Sequence, residues 1–297
     1  MHVKNQTLVS EIVLLGFQNL HNFKIPLFSL FLLIYIVTVW ENVLIIVLVS
    51  ISRNLQSPMF FFLQQLSLSD LLQTATVVPN MIRTVIKGEA TIALSTCIIQ
   101  FYFFGGSESF ECLLLAVMSY DRYVAICIPL RLLGFGIVLI TANIIINLPF
   151  CELNLINHFF CDLSPLLELS CSDTFLVRIQ VTLLSIPVII CPFILIIVSY
   201  MCIAHAILKI VSNTGRQKAF STCSSHLAVV SLFYGTLIAI YVVPPTEQSQ
   251  TMSKVLSLLY TVGIPLINPV IYSLRSQDMK DALKKSLLNG ACCTLTQ

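Results

Sequence analysis

Seven mainly apolar stretches of this chain are candidates for crossing a lipid bilayer, and they constrain its fold more than any other feature. Crossing about 30 Å of hydrocarbon takes roughly 20 mainly apolar residues in a helix. Segments of this length must be helical in lipid, because no water is present to bind the backbone N–H and C=O groups. The stretches are Ile25–Ser50, Pro58–Asn80, Leu94–Ile126, Leu132–Leu148, Val181–Val211, Ala219–Val243 and Ser253–Leu274. They predict an all-α membrane protein, a seven-transmembrane-helix bundle that forms a single domain over residues 1–297.

The composition excludes several other classes of protein. Only 10% of the residues are charged, whereas a soluble domain carries about 25%. The formal net charge of +2 is too small to indicate a nucleic-acid partner. The sequence has no Gly-rich phosphate loop and no clustered metal-ligand spacing, so we expect no metal site. A transporter or channel is disfavoured, because the two halves of the chain show no repeated hydropathy pattern.

The fourth stretch, Leu132–Leu148, is the shortest of the seven. Its 17 residues span about 25 Å as a helix, which is a few Å less than the hydrocarbon core. Local thinning of the bilayer absorbs such a mismatch at a small cost. We expect this stretch to cross the membrane, because every later segment would otherwise have the opposite orientation.

Lys and Arg residues indicate the orientation of the chain, because they accumulate in cytoplasmic loops. With the N-terminus outside, ten of the 16 fall on the inner side and six on the outer side. We therefore expect residues 1–24 to be extracellular and residues 275–297 to form a cytoplasmic tail. Within the tail, apolar residues spaced four apart in Ser276–Leu288 predict a short amphipathic helix on the inner membrane surface. Asn5 begins a glycosylation sequon, which agrees with this orientation.

Five groups of short motifs are distributed along the chain. They are MSYDRYVAIC at Met118–Cys127 with Pro129-Leu130, PMFFFL at Pro58–Leu63 with LSLSD at Leu66–Asp70, KAFSTCSSHL at Lys218–Leu227, FYG at Phe233–Gly235, and PLINPVIYSLR at Pro265–Arg275. Together they resemble the motifs of the vertebrate olfactory (odorant) receptors, a family of rhodopsin-like G-protein-coupled receptors. The resemblance extends over nearly the whole chain.

The resemblance implies a receptor and not an enzyme. An odorant receptor binds a small volatile ligand within its helix bundle and activates a stimulatory, olfactory-type heterotrimeric G protein. Its location is the plasma membrane of sensory-neuron cilia, with the N-terminus outside. No cofactor is expected, apart from Na⁺ as an allosteric ion, and the remaining partner is membrane lipid.

Two departures from the family pattern define an alternative. Members of the family usually have a longer stretch between Leu130 and Leu148, so the second inner loop and the fourth helix are shortened here. They also usually carry Gly at the position of Glu41. The alternative is a receptor-derived chain, with a deleted inner loop and a truncated fourth helix, that is poorly inserted or defective in signalling.

The candidate activation switch is implied by the same resemblance. Its members are Asp121, Arg122, Tyr123, Tyr234, Asn268, Pro269 and Tyr272. The guanidinium of Arg122 would be held by Asp121 in the inactive state and released when helix six moves. Pro269 removes a backbone hydrogen bond and lets helix seven bend. Two simpler interpretations stay open, namely that Arg122 anchors a helix end and that Pro269 makes a static kink.

Four polar residues lie within apolar helices, where burial is expensive and function is the default interpretation. They are Asn42, Asp70, Glu111 and Asn268. In the family such residues cluster around a water-filled core. Two carboxylates in one site of low dielectric favour a bound Na⁺ or a shared proton. A purely structural network that links helices is the alternative, and His226 is expected to make a further interhelical hydrogen bond.

Four cysteines flank polar segments on the expected outer side, namely Cys97, Cys151, Cys161 and Cys171. Four cysteines allow three pairings, and the residues alone do not separate them. The resemblance implies the disulfides Cys97–Cys161 and Cys151–Cys171, which are structural bridges in an oxidising compartment.

The candidate ligand-binding residues lie in the outer halves of helices three and six. They are Phe101, Phe104, Gly105, Glu108, Ser109, Ile238 and Tyr241. Ile238 and Tyr241 follow Tyr234 by one and two helical turns, so we expect them to share its face. Apolar walls with few polar groups suit a small, weakly polar ligand. Ordinary helix packing is the alternative for each aromatic residue.

Overall fold

A computed structural model describes most of the chain. The described residues are 10–17, 21–120, 127–150, 154–209, 212–242, 247–275 and 278–285. Eight helical elements in these ranges correspond to the seven predicted stretches and the amphipathic segment. They are α1 (Lys24–Ile51), α2 (Pro58–Lys87), α3 (Leu94–Tyr120), α4 (Cys127–Ile146), α5 (Phe175–Leu208), α6 (Asn213–Val242), α7 (Glu247–Leu258, Leu259–Gly263 and Ile264–Arg275) and α8 (278–285).

Apolar length alone identifies four of these helices as able to cross a membrane. Within the described residues they are Lys24–Ile51, Leu94–Ser119, Phe175–Leu208 and Met252–Tyr272, while Arg131–Ile146 and His226–Ala239 are shorter apolar helices. The α3 segment is mostly buried, whereas the α1 and α5 segments are mostly exposed. Large apolar side chains are therefore exposed on α1 and α5, as expected of helices that contact lipid.

Prolines interrupt the regular hydrogen bonding of α5 and α7. In α5, a π-helical turn at Ile186–Ile190 contains Pro187 and is followed closely by Pro192. In α7, a similar turn at Leu259–Gly263 precedes Pro265. Proline has no N–H to donate, and π turns often accommodate such interruptions in a helix.

The chain divides into two compact units. The disulfide unit comprises Met1–Tyr35, Leu72–Leu113 and Ile128–Pro192, and the Asp70 unit comprises Ile36–Leu71, Leu114–Cys127 and Phe193–Gln297. A core in the disulfide unit surrounds Cys97 and Cys161. A core in the Asp70 unit joins residues of α1 and α2 to Met279 of α8, and Leu283 packs against it. The apolar spacing that predicted an amphipathic C-terminal helix therefore supplies its docking face.

A three-stranded sheet in the disulfide unit was not predicted. Its strands are β1 (Glu11–Leu14), β2 (Ala90–Ala93) and β3 (Leu155–Ile156). β1 is the central strand, antiparallel to β2 and parallel to β3. The sheet ties the segment before α1 to the loops before α3 and after α4.

The fourth helix is longer than the sequence indicated. We expected 17 residues at Leu132–Leu148 and a span a few Å too short, but α4 has 20 residues and spans about 30 Å. The added residues include Pro129, which a helix tolerates in its first turn because the N–H groups there have no intrahelical acceptor. The helix is therefore longer than its apolar part, which within the described residues is Arg131–Ile146.

Glycines bring α4 close to α3. A Cβ atom built on Gly134 would lie 3.2 Å from the backbone N of Phe110, and one built on Gly106 would lie 2.5 Å from the Phe135 ring. Because later residues of α4 meet earlier residues of α3, the two helices run antiparallel. Small residues at such crossings let helix backbones approach closely in a membrane.

Replacement of Gly134 by leucine tests this packing. Gly134→Leu should destabilise the protein by about 1–3 kcal/mol, because the new side chain meets α3 backbone that cannot move aside. Gly136→Leu is the matched control: a Cβ at Gly136 has nothing within 4 Å, and both changes gain the same helix propensity. The measurement is thermal unfolding of the detergent-purified protein. Equal melting temperatures for the two variants would contradict the packing.

Candidate functional site

A buried polar contact joins α2 to α7. Asn268 donates from Nδ2 to both carboxylate oxygens of Asp70, at 3.4 Å to Oδ1 and 3.3 Å to Oδ2. Both side chains are almost completely buried. Two of the four predicted polar-core residues are therefore in direct contact.

Asn42 joins α1 to the same part of α7. Its Nδ2 donates to the carbonyl oxygen of Thr38, at 2.9 Å, and to that of Pro265, at 3.1 Å. In a regular helix the Pro265 carbonyl would accept from the residue four positions later, which is Pro269 and has no N–H. Asn42 therefore supplies the donor that Pro269 cannot. The polar core and the proline of the candidate switch are thus parts of one hydrogen-bonded arrangement.

Some oxygens of this region lack a donor. Within the described part of the chain, Asn42 Oδ1, Thr38 Oγ1 and Glu41 Oε2 are buried without a hydrogen-bond partner. Glu111, the fourth predicted member of the polar core, is also buried. It belongs to the part of α3 in the disulfide unit.

The remaining switch residues fall into two groups. Asp121, Arg122 and Tyr123 lie outside the described residues. Tyr234 is buried in α6, with its ring stacked on Phe193 of α5 at 4.6 Å between centroids. Tyr272 of α7 packs against the apolar core that includes Met279 of α8.

A second contact between α5 and α6 involves a tyrosine that the sequence did not indicate. Tyr200 and His226 share a hydrogen bond between the phenol oxygen and Nδ1, and their rings are stacked. His226 was expected to bond to another helix, and Tyr200 is its partner. Tyr200 sits in a strongly apolar helix, and its polar group was the available signal for this role.

The candidate ligand residues of α3 lie on two faces. Three of them, at four-residue spacing, contact α4: Phe101, Gly105 and Ser109. Phe101 belongs to the same core as Val138, and a Cβ at Gly105 would lie 3.2 Å from Val138. Ser109 lies beside Gly134. These three residues therefore make helix-packing contacts, which the sequence analysis gave as the alternative to a ligand role. Phe104 instead contacts Phe160, with ring centroids 4.8 Å apart. Glu108 is one turn from Phe104 and is buried.

The two ligand-binding candidates on α6 are Ile238 and Tyr241. Ile238 is 46% exposed, whereas Tyr234 is 3% exposed. The two residues therefore differ in environment although they are one turn apart. The side chain of Tyr241 lies outside the described part of the structure.

A disulfide joins Cys97, at the start of α3, to Cys161, with the two Cα atoms 5.5 Å apart. Gln100 reinforces this junction: its Oε1 accepts from the Cys161 N–H at 2.9 Å, and its Nε2 donates to the Thr76 carbonyl of α2 at 2.7 Å. Cys171 is also disulfide-bonded. Its expected partner Cys151 lies outside the described residues, as does Asn5.

Comparison with known proteins agrees with this architecture. The fold is similar to that of squid rhodopsin, with a TM-score of 0.66 over 90% of this chain and 86% of that one, at 15% sequence identity. The similarity shows a rhodopsin-like fold of seven helices, which confirms the predicted fold class.

Sequence comparison identifies the family. A profile described as "Olfactory receptor" matches residues 31–290. Human olfactory receptor 11L1 is 44% identical over 96% of this chain and 94% of its own length, and human olfactory receptor 1S1 is 44% identical over 99% and 96%. Mouse olfactory receptor 5AP2 is 42% identical over 96% of both chains. The chain belongs to the olfactory receptor family; it is a multi-pass membrane receptor and not an enzyme.

The bond between Asn42 and Pro265 is testable by a double-mutant cycle. Asn42→Ala should destabilise the receptor by about 1–3 kcal/mol, because it leaves the buried Pro265 carbonyl without a donor. In a Pro269→Ala background the same change should cost much less, because the substituted alanine supplies the missing N–H. The measurement is thermal unfolding of the purified receptor.

Asn147→Ala is the matched control for this cycle. Asn147 is exposed and donates only to the nearby Asn143 carbonyl at 2.8 Å. It should leave the melting temperature nearly unchanged in both backgrounds. An equal cost of Asn42→Ala with and without Pro269 would refute the role assigned to this bond.

Proposed function

We propose that this chain is an odorant receptor that binds a small volatile molecule within its helix bundle and activates a stimulatory heterotrimeric G protein. The observation that carries the proposal is family membership over almost the whole chain, at 44% identity to human olfactory receptors. The hydrogen-bonded contacts of Asp70, Asn268 and Asn42 support it, because they join the helices in which a receptor switch would operate.

The proposed orientation places the N-terminus outside the cell and residues 275–297 in the cytosol, in the membrane of sensory-neuron cilia. The Cys97–Cys161 disulfide supports it, because disulfides persist in oxidising compartments and are rare in the cytosol. Glycosylation at Asn5 and a Cys151–Cys171 disulfide belong to the same proposal.

The proposed mechanism is a shift of a conformational equilibrium, with no covalent step. A bound odorant stabilises a minor conformation in which α6 moves outward, and Arg122 is released from Asp121 to engage the G protein. The contacts of Pro269 suit a moving part, since the affected carbonyl is held by a side chain and not by the helix itself. Phe104 and Glu108 are the α3 residues best placed for a ligand role, because their neighbours on the other face pack against α4.

Na⁺ beside Asp70 is proposed as an allosteric ion. The Asp70 carboxylate is fully buried, and its described hydrogen-bond donor is the single amide of Asn268. The buried Asn42 Oδ1 also has no donor among the described residues. Hard cations bind oxygen ligands of this kind.

The length of α4 favours a competent receptor over the truncated, poorly inserted alternative. A helix of 20 residues covers about 30 Å, although its apolar part, Arg131–Ile146, is shorter than the whole helix. The close contacts at Gly134 and Gly106 give this helix a defined position on α3.

Nucleotide exchange tests the proposed signalling. Purified receptor in lipid nanodiscs, exposed to a broad odorant panel, should accelerate GTP binding by the olfactory stimulatory G protein. Arg122→Ala should reduce this rate at least about tenfold, because the cation that engages the G protein is removed. Arg178→Ala is the control, since Arg178 is exposed at the start of α5 and bonds only locally to Thr174. A folded wild-type receptor without exchange activity toward any odorant would overturn the proposal.

The Na⁺ proposal has a separate readout. Replacing choline chloride by sodium chloride at equal ionic strength should raise the melting temperature of the wild-type receptor by a few degrees, through binding to the folded state. Asp70→Asn should abolish this dependence, because the charged ligand is lost. A sodium effect of equal size in both proteins would assign it to general ionic strength.

A further inference from the structure

The segment before α1 is an integral part of the disulfide unit. β1 lies between β2 and β3, and its backbone bonds extend beyond the strand: the Val13 N–H donates to the Asn154 carbonyl at 2.7 Å, and the Leu15 N–H donates to the Ile156 carbonyl at 2.8 Å. Ile12 and Leu14 are completely buried in the core around the disulfide. This segment therefore holds the loop that leads to Cys161.

Gly16 and Phe17, which follow β1, make the next contacts of this segment with the rest of the disulfide unit. A Cβ at Gly16 would clash with Oγ1 and Cβ of Thr84, so only glycine lets the chain pass this close to α2. Immediately afterwards, the Phe17 ring stacks on Phe159, with centroids 5.6 Å apart and planes 12° apart. Phe31 of α1 contacts the Phe17 ring at 6.0 Å.

An aromatic chain leads from Phe17 to a candidate ligand residue. Phe159 contacts Phe160 at 5.2 Å between centroids, and Phe160 meets Phe104 of α3 edge-on at 4.8 Å. Phe159, Phe160 and Phe104 are almost completely buried. In a close-packed interior, displacement of one ring requires its neighbours to move.

The loop is fixed at two points on either side of these rings. Toward the C-terminus, the disulfide and the Gln100 side chain hold Cys161. Toward the N-terminus, β1 holds Asn154 and Ile156. Between these two points, His158 of the same loop contacts the rings of Phe159 and Phe160 at 4.6 and 4.8 Å between centroids, and Phe17 adds a stacked contact from outside the loop.

We propose that Phe17 is a specificity-determining positioning residue: by stacking on Phe159 it holds Phe160 against Phe104, and so sets which ligands are accepted. The inference rests on the proposed ligand role of Phe104. Removal of the Phe17 ring leaves Phe159 without its stacking partner, so Phe159 and Phe160 are free to repack toward the vacated space. The position of Phe104 changes with them, which alters the room available to a bound molecule.

Ligand selectivity provides the main test. Responses to straight-chain aliphatic alcohols and aldehydes of increasing length are measured for wild type, Phe17→Ala, Phe17→Leu and Phe17→Tyr at matched surface expression. Phe17→Ala and Phe17→Leu should change the ratio of half-maximal concentrations for short and long ligands by about threefold or more, since small changes in pocket size discriminate methylene groups. Phe17→Tyr, which keeps the stack, should restore the wild-type ratio.

Two controls separate positioning from general destabilisation. Phe23→Ala removes a ring of the same segment that is 72% exposed, and it should leave the ratio unchanged. Phe17→Leu in a Phe160→Ala background should produce no further change in the ratio, because the path to Phe104 is already broken. A uniform loss of sensitivity with an unchanged ratio would overturn the proposal, because a merely structural role predicts that result.

Hydrogen exchange tests the positioning without any odorant. In purified receptor, Phe17→Leu should increase amide exchange in residues 154–161, and Phe23→Ala should not. If the wild type responds to no odorant, the proposed receptor function fails, while this measurement still decides whether Phe17 positions the loop. Unchanged exchange in Phe17→Leu would overturn the positioning role.

Discussion

The hydrogen bond from Asn42 to the Pro265 carbonyl is the contact on which the Asp70 unit most depends. Inside a bilayer an unsatisfied backbone carbonyl costs several kcal/mol, and Pro269 removes the donor that α7 would otherwise provide. A side chain of α1 replaces that donor, and Asp70 of α2 accepts from Asn268, the residue just before the same proline. The helices α1, α2 and α7 therefore meet at the point where the backbone of α7 lacks one of its own hydrogen-bond donors. A side-chain bond can break and re-form without unwinding a helix, which is the property a switch requires.

The disulfide unit is held by interactions of a different kind. A covalent bond joins Cys97 to Cys161, β1 completes a sheet between two loops, and Gly134 lets α4 contact the α3 backbone. None of these contacts exchanges partners easily. The candidate ligand residue Phe104 thus belongs to the unit that a covalent bond and close backbone packing stabilise. The described candidate switch residues belong to the Asp70 unit, whose helices are joined by exchangeable hydrogen bonds. This division suits the proposed function, in which recognition of a small molecule is followed by a conformational change.

The sequence predicted the helices and the polar core because both follow from the absence of water in lipid. Apolar stretches located the described helices α1–α7, four of which are long and apolar enough by themselves to cross a membrane. Asp70 and Asn268 stood out because polar groups are rare in such segments. The small sheet was missed because strands as short as β1 have no stability of their own and depend on tertiary contacts. The sequence also did not predict which neighbour each face of α3 contacts. Phe101 and Phe104 are both aromatic and buried, and they differ only in their neighbours, which are α4 for Phe101 and Phe160 for Phe104.

The start of α4 shows how packing can overrule a sequence boundary. Pro129 and Arg131 both resemble the end of a membrane segment, since one breaks helices and the other carries a charge. The proline falls within the first turn, where it costs no hydrogen bond. The Arg131 guanidinium lies over the Phe110 ring, 4.9 Å from its centroid, and such a contact offsets part of the cost of placing a cation near apolar surroundings. Local compensation by α3 therefore lets Arg131 lie inside the helix, which begins at Cys127, ahead of its apolar part.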